Sequence, residues 1–170
     1  MENEKRNFYR MWFALFFCFT FVWMVVIFLF SAQPAEASTE ISHSVGKRIG
    51  QLFIPRFEDM SPEFQEKFSE TVDYPVRKTA HASEYAILAV SFCGMFCFLG
   101  KLRRQKILVY RLSFLAASFY AVSDEFHQLF VPGRSGQVSD VALDAMGACA
   151  GCVMYWMVGR KKTFSGKESG

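Results

Sequence analysis

Residues 11–30 run for twenty positions without a charged side chain, and Thr20 is the only clearly polar residue among them. At a rise of about 1.5 Å per residue, a helix of that length covers the ~30 Å hydrocarbon core of a bilayer. A buried helix in a water-soluble domain rarely stays apolar for so long. A cleaved signal peptide is the rival reading, with Lys5, Arg6 and Arg10 ahead of the run and the small-x-small triplet Ala35-Glu36-Ala37 behind it. The apolar core of such a peptide usually measures about 7–15 residues, so the sequence predicts a retained first span.

Three further apolar segments follow at residues 82–99, 107–130 and 138–158, each carrying some polar residues. Trp12, Tyr85, Tyr110 and Trp156 lie near span ends, where amphipathic rings favour the membrane interface. The expected fold is an all-α integral membrane protein, a four-transmembrane-helix bundle forming a single domain over the 170 residues. Composition agrees, with 52% hydrophobic and 17% aromatic residues. A net charge of +3, from 19 basic and 16 acidic residues, is too small to point to nucleic acid.

Charge sets the orientation. Lys5, Arg6 and Arg10 precede the first span, Lys101, Arg103, Arg104 and Lys106 follow the second without an acid, and Arg160, Lys161, Lys162 and Lys167 follow the fourth. The segment 31–79 holds six basic against eight acidic residues, and the link after the third span has only Arg134. The positive-inside rule then puts the N- and C-termini and the second link in the cytoplasm, with the loop 31–79 and the Arg134 link outside.

Within that outer loop, Ile41, Val45, Ile49, Leu52 and Phe53 recur at helical spacing. Residues 42–53 are expected to lie amphipathically on the outer leaflet or to pack in a helical hairpin on the bundle. Ser61-Pro62-Glu63 has the form of a helix start, after which Phe64, Phe68 and Val72 share a face. All five cysteines (Cys18, Cys93, Cys97, Cys149 and Cys152) fall within spans, which speaks against a disulfide framework. Cys149-x-x-Cys152 sits among Gly147, Ala148, Ala150 and Gly151 and reads as close helix packing, as does Gly147-x-x-x-Gly151.

The ionisable residues at span ends carry the functional signal. Lys78, His81 and Glu84 are spaced at three, one helical stripe at the start of the second span. The third span ends in Asp124-Glu125-Phe126-His127-Gln128, followed by Val131-Pro132-Gly133-Arg134, and the fourth opens with Asp140 and Asp144. The alternating topology brings all three groups to one depth near the outer leaflet. A charged side chain at a span centre costs roughly 2.5–3.5 kcal/mol, so such residues are paired, wetted or used.

Several uses stand open. His81, Glu84, Glu125, His127, Asp140 and Asp144 include ligand types for a divalent metal or zinc. A histidine beside carboxylates also suits a general base, with His81 or Glu125 in that role. Lys78 and Arg134 suit an anionic head group. The alternative is a buried ion-pair network joining three helices, with Arg134 holding Asp140 or Glu125. Ion transport is the weakest fit, because the cytoplasmic halves of the spans are almost purely apolar.

At these residues the chain resembles the VanZ-like family of small membrane proteins. The resemblance rests on Phe30-Ser31-Ala32-Gln33-Pro34, on Arg77-Lys78-Thr79-Ala80-His81 leading to Glu84-Tyr85, and on the block from Asp124 to Arg134. Asp140-Val141 through Asp144 and Gly147 completes it. It covers residues 10–158 and implies a role in the cell envelope, in a bacterial plasma membrane, since the family takes its name from a member associated with resistance to the glycopeptide teicoplanin. It implies Lys78, His81, Glu125, Gln128, Arg134 and Asp140 as site residues. Many members carry Asn at the position of Asp144, so the resemblance implies no required carboxylate there. The expected partners are a membrane lipid or lipid-linked cell-wall precursor, or the glycopeptide itself. A membrane hydrolase or transferase acting on such a substrate is the alternative.

Overall fold

The computed structural model describes residues 2–100 and 102–165, with side chains as far as 159. Part of the charge argument rests on Lys101, Arg160, Lys161, Lys162 and Lys167, which lie outside the residues whose side chains are described. The described residues form five α-helices and two short 3-10 turns: α1 (Glu2–Ser31), α2 (Ala35–Phe53), α3 (Pro62–Cys97), α4 (Lys106–Gln128) and α5 (Val138–Ser165). Four of them, all but α2, are long and apolar enough to cross a membrane.

The segment expected as an outer loop is helical almost throughout. α3 starts at Pro62, where the Ser61 hydroxyl accepts a hydrogen bond from the Phe64 amide, and runs unbroken through Pro75 into the second span. Proline at that position removes one intrahelical bond, to the Thr71 carbonyl. Both Thr71 and Pro75 are exposed, so that carbonyl is not stranded in the core.

α2 folds back on the first half of α3, but through its small residues. Ser42, Gly46 and Gly50 are buried, while Ile41, Val45, Leu52 and Phe53 point outward. The expected apolar stripe exists, and the inward contact belongs to the adjacent face, about 100° round the helix. A Cβ on Gly50 would sit 2.5–2.8 Å from the ring of Phe57, itself only 2% exposed and packed on Phe68. Gly50→Leu should therefore detach α2, at a cost of about 1–3 kcal/mol. Hydrogen exchange should accelerate across residues 35–53 and leave the spans protected.

α3 is the central helix and contacts the other four, packing most extensively on α5. α3 and α5 run parallel and in fixed register, with Lys78 opposite Asp140, Ala82 opposite Gly147 and Ala86 opposite Gly151. Small residues at four-residue spacing let two backbones approach closely, which is how helices associate where lipid removes the hydrophobic drive. The buried core is correspondingly fine-grained: Ala89, Ala117, Ala121, Ala148, Cys93 and Cys152 surround Ile27, Tyr85 and Leu88. All five cysteines are free thiols, with the Sγ atoms of Cys93 and Cys152 3.8 Å apart.

α1 is peripheral and buries little beyond Thr20, Ile27 and Ser31. Four side-chain hydrogen bonds dock it: the Thr20 hydroxyl donates to Ser91 Oγ (3.0 Å), Trp23 Nε1 to the Glu84 carbonyl (2.9 Å), Tyr120 to the Met24 carbonyl (2.7 Å) and Arg134 Nη2 to the Phe30 carbonyl (3.2 Å). Phe16 packs on Gly94 and the Phe98 ring, while most of the helix's other phenylalanines and valines face outward, as a lipid-exposed helix requires. At its N-terminal end Tyr9 stacks under Arg103 of the α3–α4 link, 4.0 Å from ring centre to guanidinium carbon. Basic residues thus gather at one end of the bundle and the polar cluster at the other.

Candidate functional site

The polar end is built on a turn. Val131-Pro132-Gly133-Arg134 closes with the Arg134 amide donating to the Val131 carbonyl at 3.1 Å. Gly133 has φ +73°, so proline at the second position and a left-handed glycine at the third give a type II turn. The Pro132 carbonyl also accepts from the Ala35 amide at the start of α2. The turn therefore fixes Arg134 between the ends of α1, α2 and α4.

Arg134 does not hold Asp140 or Glu125, the partners an ion-pair network would give it. Nε donates to the Gln33 carbonyl (2.8 Å), Nη2 to the Phe30 carbonyl (3.2 Å) and Nη1 to Gln128 Oε1 (3.4 Å). These three bonds end on neutral oxygens and use three of the five N–H groups of a guanidinium, leaving two. Burial pulls its pKa below the ordinary arginine value and the charge of Asp124 opposes that, so the group remains a cation. Gln128 relays the arrangement inward, its amide nitrogen donating to Asp124 Oδ2 (3.2 Å) and Glu125 Oε1 (3.1 Å). The other oxygen of Glu125 accepts from the Gln137 amide (3.0 Å), directly ahead of α5, where a helix N-terminus favours negative charge.

Asp140, in the first turn of α5, pairs with Lys78 of α3, both about one-fifth exposed, and Lys78 also lies over the Tyr74 ring. A cavity of about 330 Å³ opens between these elements, lined by Arg77, Lys78, His81, Gln128, Arg134 and Asp140 among others. A second groove of about 220 Å³ shares Arg77, His81 and Arg134 with it. This groove leads along Phe30, Ile41, Val45, Val76 and Ala80, between the end of α1, α2 and α3.

Of the residues expected from the sequence, Lys78, His81, Gln128, Arg134 and Asp140 line the first cavity, and Glu84 lines the groove. Asp124, Glu125 and Asp144 lie behind them, each at most 4% exposed. His127 turns away and packs on the Phe28 ring, 4.5 Å between centres. Arg77, which the sequence placed in the family block but not among the site residues, lines both spaces and pairs with Asp73 at 2.8 Å. Its place directly before Lys78 was the available signal. The carbonyls of Phe30 and Gln33 were also missed, since backbone acceptors leave no mark in a sequence.

Compared with known proteins, the chain matches the VanZ/LLP1 family model over residues 16–159. No curated protein and no solved structure matches it.

Proposed function

The chain belongs to the VanZ/LLP1 family, and from that premise we propose that it works in a bacterial cell envelope, holding the phosphate of a lipid-linked component in its polar pocket. The observation that carries this reading is Arg134. It faces the cavity with no carboxylate in contact and two N–H groups uncommitted, beside Arg77, Lys78 and His81. Guanidinium groups grip phosphate through paired, charge-assisted hydrogen bonds. The adjoining groove supplies an apolar path for a hydrocarbon chain that begins at the same three residues. The basic Lys and Arg residues at the opposite end favour a plasma-membrane orientation with the pocket outward and both termini cytoplasmic. The family's association with teicoplanin tolerance fits a pocket engaging either such a component or the antibiotic. The groove favours the former.

The test is binding of a polyprenyl phosphate to the detergent-purified full chain, with the polyprenol of equal length as its uncharged control. A hydrogen bond to a charged group contributes about 1.5–3 kcal/mol, so Arg134→Ala should weaken phosphate binding about 10- to 100-fold and leave polyprenol binding unchanged. Equal affinity of wild type and a folded Arg134→Ala variant for the phosphate would refute the reading. Release of inorganic phosphate from the bound probe would favour the hydrolase reading, for which His81 stands in the cavity wall with Glu125 behind it.

A further inference from the structure

We propose that His81, Glu125 and Asp144 form a binding site for a divalent transition-metal ion. One donor comes from each of α3, α4 and α5, and the three donor atoms lie within 4.8 Å of one another. Donors about 2.1 Å from a tetrahedral ion stand roughly 3.4 Å apart, a distance that modest side-chain rotations reach from here.

The observation that points to a ligand is Asp144. It is 0% exposed, yet neither of its carboxylate oxygens has a hydrogen-bond partner, and His81 Nδ1 has none either. Buried polar atoms are paired in nearly all folded proteins, and a buried carboxylate without a partner is among the costliest exceptions. The neighbouring cations do not compensate it, because Lys78 is engaged by Asp140 and Arg134 by Gln128 and two carbonyls. Close by, Asp124 is 4% exposed and also leaves Oδ1 unpartnered. A proton shared between Asp144 and His81 would satisfy those two groups and leave the charge of Glu125 without a counter-cation. A dication balances the charges of Glu125 and Asp144 and engages all three groups.

The donor set narrows the choice of ion. One imidazole nitrogen with two carboxylates suits Zn²⁺ or Mn²⁺, whereas Mg²⁺ and Ca²⁺ prefer oxygen throughout. Three protein ligands are the number found in zinc sites that keep a position for water or substrate. His81 is also part of the cavity wall, so an ion held here borders the pocket. The inference does not depend on which anion that pocket takes.

The experiment titrates Zn²⁺ and Mn²⁺ separately into the EDTA-treated, detergent-purified full chain by calorimetry, with bound metal counted by elemental analysis. Wild type should take up about one equivalent and melt at a higher temperature when loaded. Asp144→Asn and Glu125→Gln, checked for folding by size exclusion and circular dichroism, should each weaken binding at least about tenfold and lose the thermal shift. Zinc held by the free thiols would persist in Asp144→Asn and so subtracts out. If neither variant folds, the wild-type Mn²⁺ titration decides alone, because thiolates select softer ions. Wild type that binds neither ion at about 1 mM, or a folded Asp144→Asn that binds like wild type, overturns the proposal.

Discussion

Gly147→Ala should unfold or mis-assemble the bundle, although it adds a single methyl group. A Cβ at this position would strike the Ala82 carbonyl oxygen and lie 2.8 Å from the carbonyl carbon. The obstacle is main chain, which cannot rotate aside as a side chain can. Overpacking usually costs about 1–3 kcal/mol, and contact with rigid backbone puts this substitution at about 3 kcal/mol or above. The effect should appear as loss of the monodisperse protein and of the thermal transition in detergent. Gly159→Ala on the same helix supplies the control, since a Cβ there meets none of the described side chains within 4 Å. It should be neutral, or stabilising by up to about 1 kcal/mol through helix propensity. Similar losses from both substitutions would contradict the backbone contact.

The second large effect is expected at Lys78 and Asp140. Removing one member of a buried ion pair costs about 3–5 kcal/mol, because the other charge is left without compensation. Each side chain here keeps about one-fifth of its surface exposed, which lowers the expectation to about 2 kcal/mol. Lys78→Met should be the worse single change, as it leaves Asp140 at the acidic end of the bundle near Glu125 and Asp144. The double variant Lys78→Met/Asp140→Asn should recover most of the loss. A thermal double-mutant cycle should therefore show coupling of about 1–3 kcal/mol. Additive losses would mean that the two side chains contribute independently.

The spans themselves were legible, because twenty uncharged residues at 11–30 have few other uses and the third and fourth segments begin within one residue of α4 and α5. The continuity of α3 was not. Its first half is charged and interrupted by Pro75, and local composition there resembles a loop. The helix persists because α2 packs against it and because proline costs little on an exposed face. In α2 the apolar spacing revealed a helix but did not show which face packs on α3, where Gly46 and Gly50 permit a closer approach than Ile41 or Val45. At the site, topology alone brought Lys78, Gln128, Arg134 and Asp140 to one end. The approach of His81 to within 4.8 Å of Asp144 required the α3–α5 register, and that is set by backbone contact at Gly147 and Gly151.

Arg134 joins two things that are usually separate. The guanidinium that faces the cavity also holds the Phe30 carbonyl in the last turn of α1 and the Gln33 carbonyl just beyond it, and α1 is a helix otherwise bathed in lipid and docked by only a few hydrogen bonds. A change in bilayer thickness or lateral tension that shifts or tilts α1 must move the Phe30 and Gln33 carbonyls and, with them, the cation they hold. The charge geometry of the pocket is in this way tied to the mechanical state of the surrounding membrane. Reciprocally, an anion that drew Arg134 into the cavity would loosen the C-terminal end of α1.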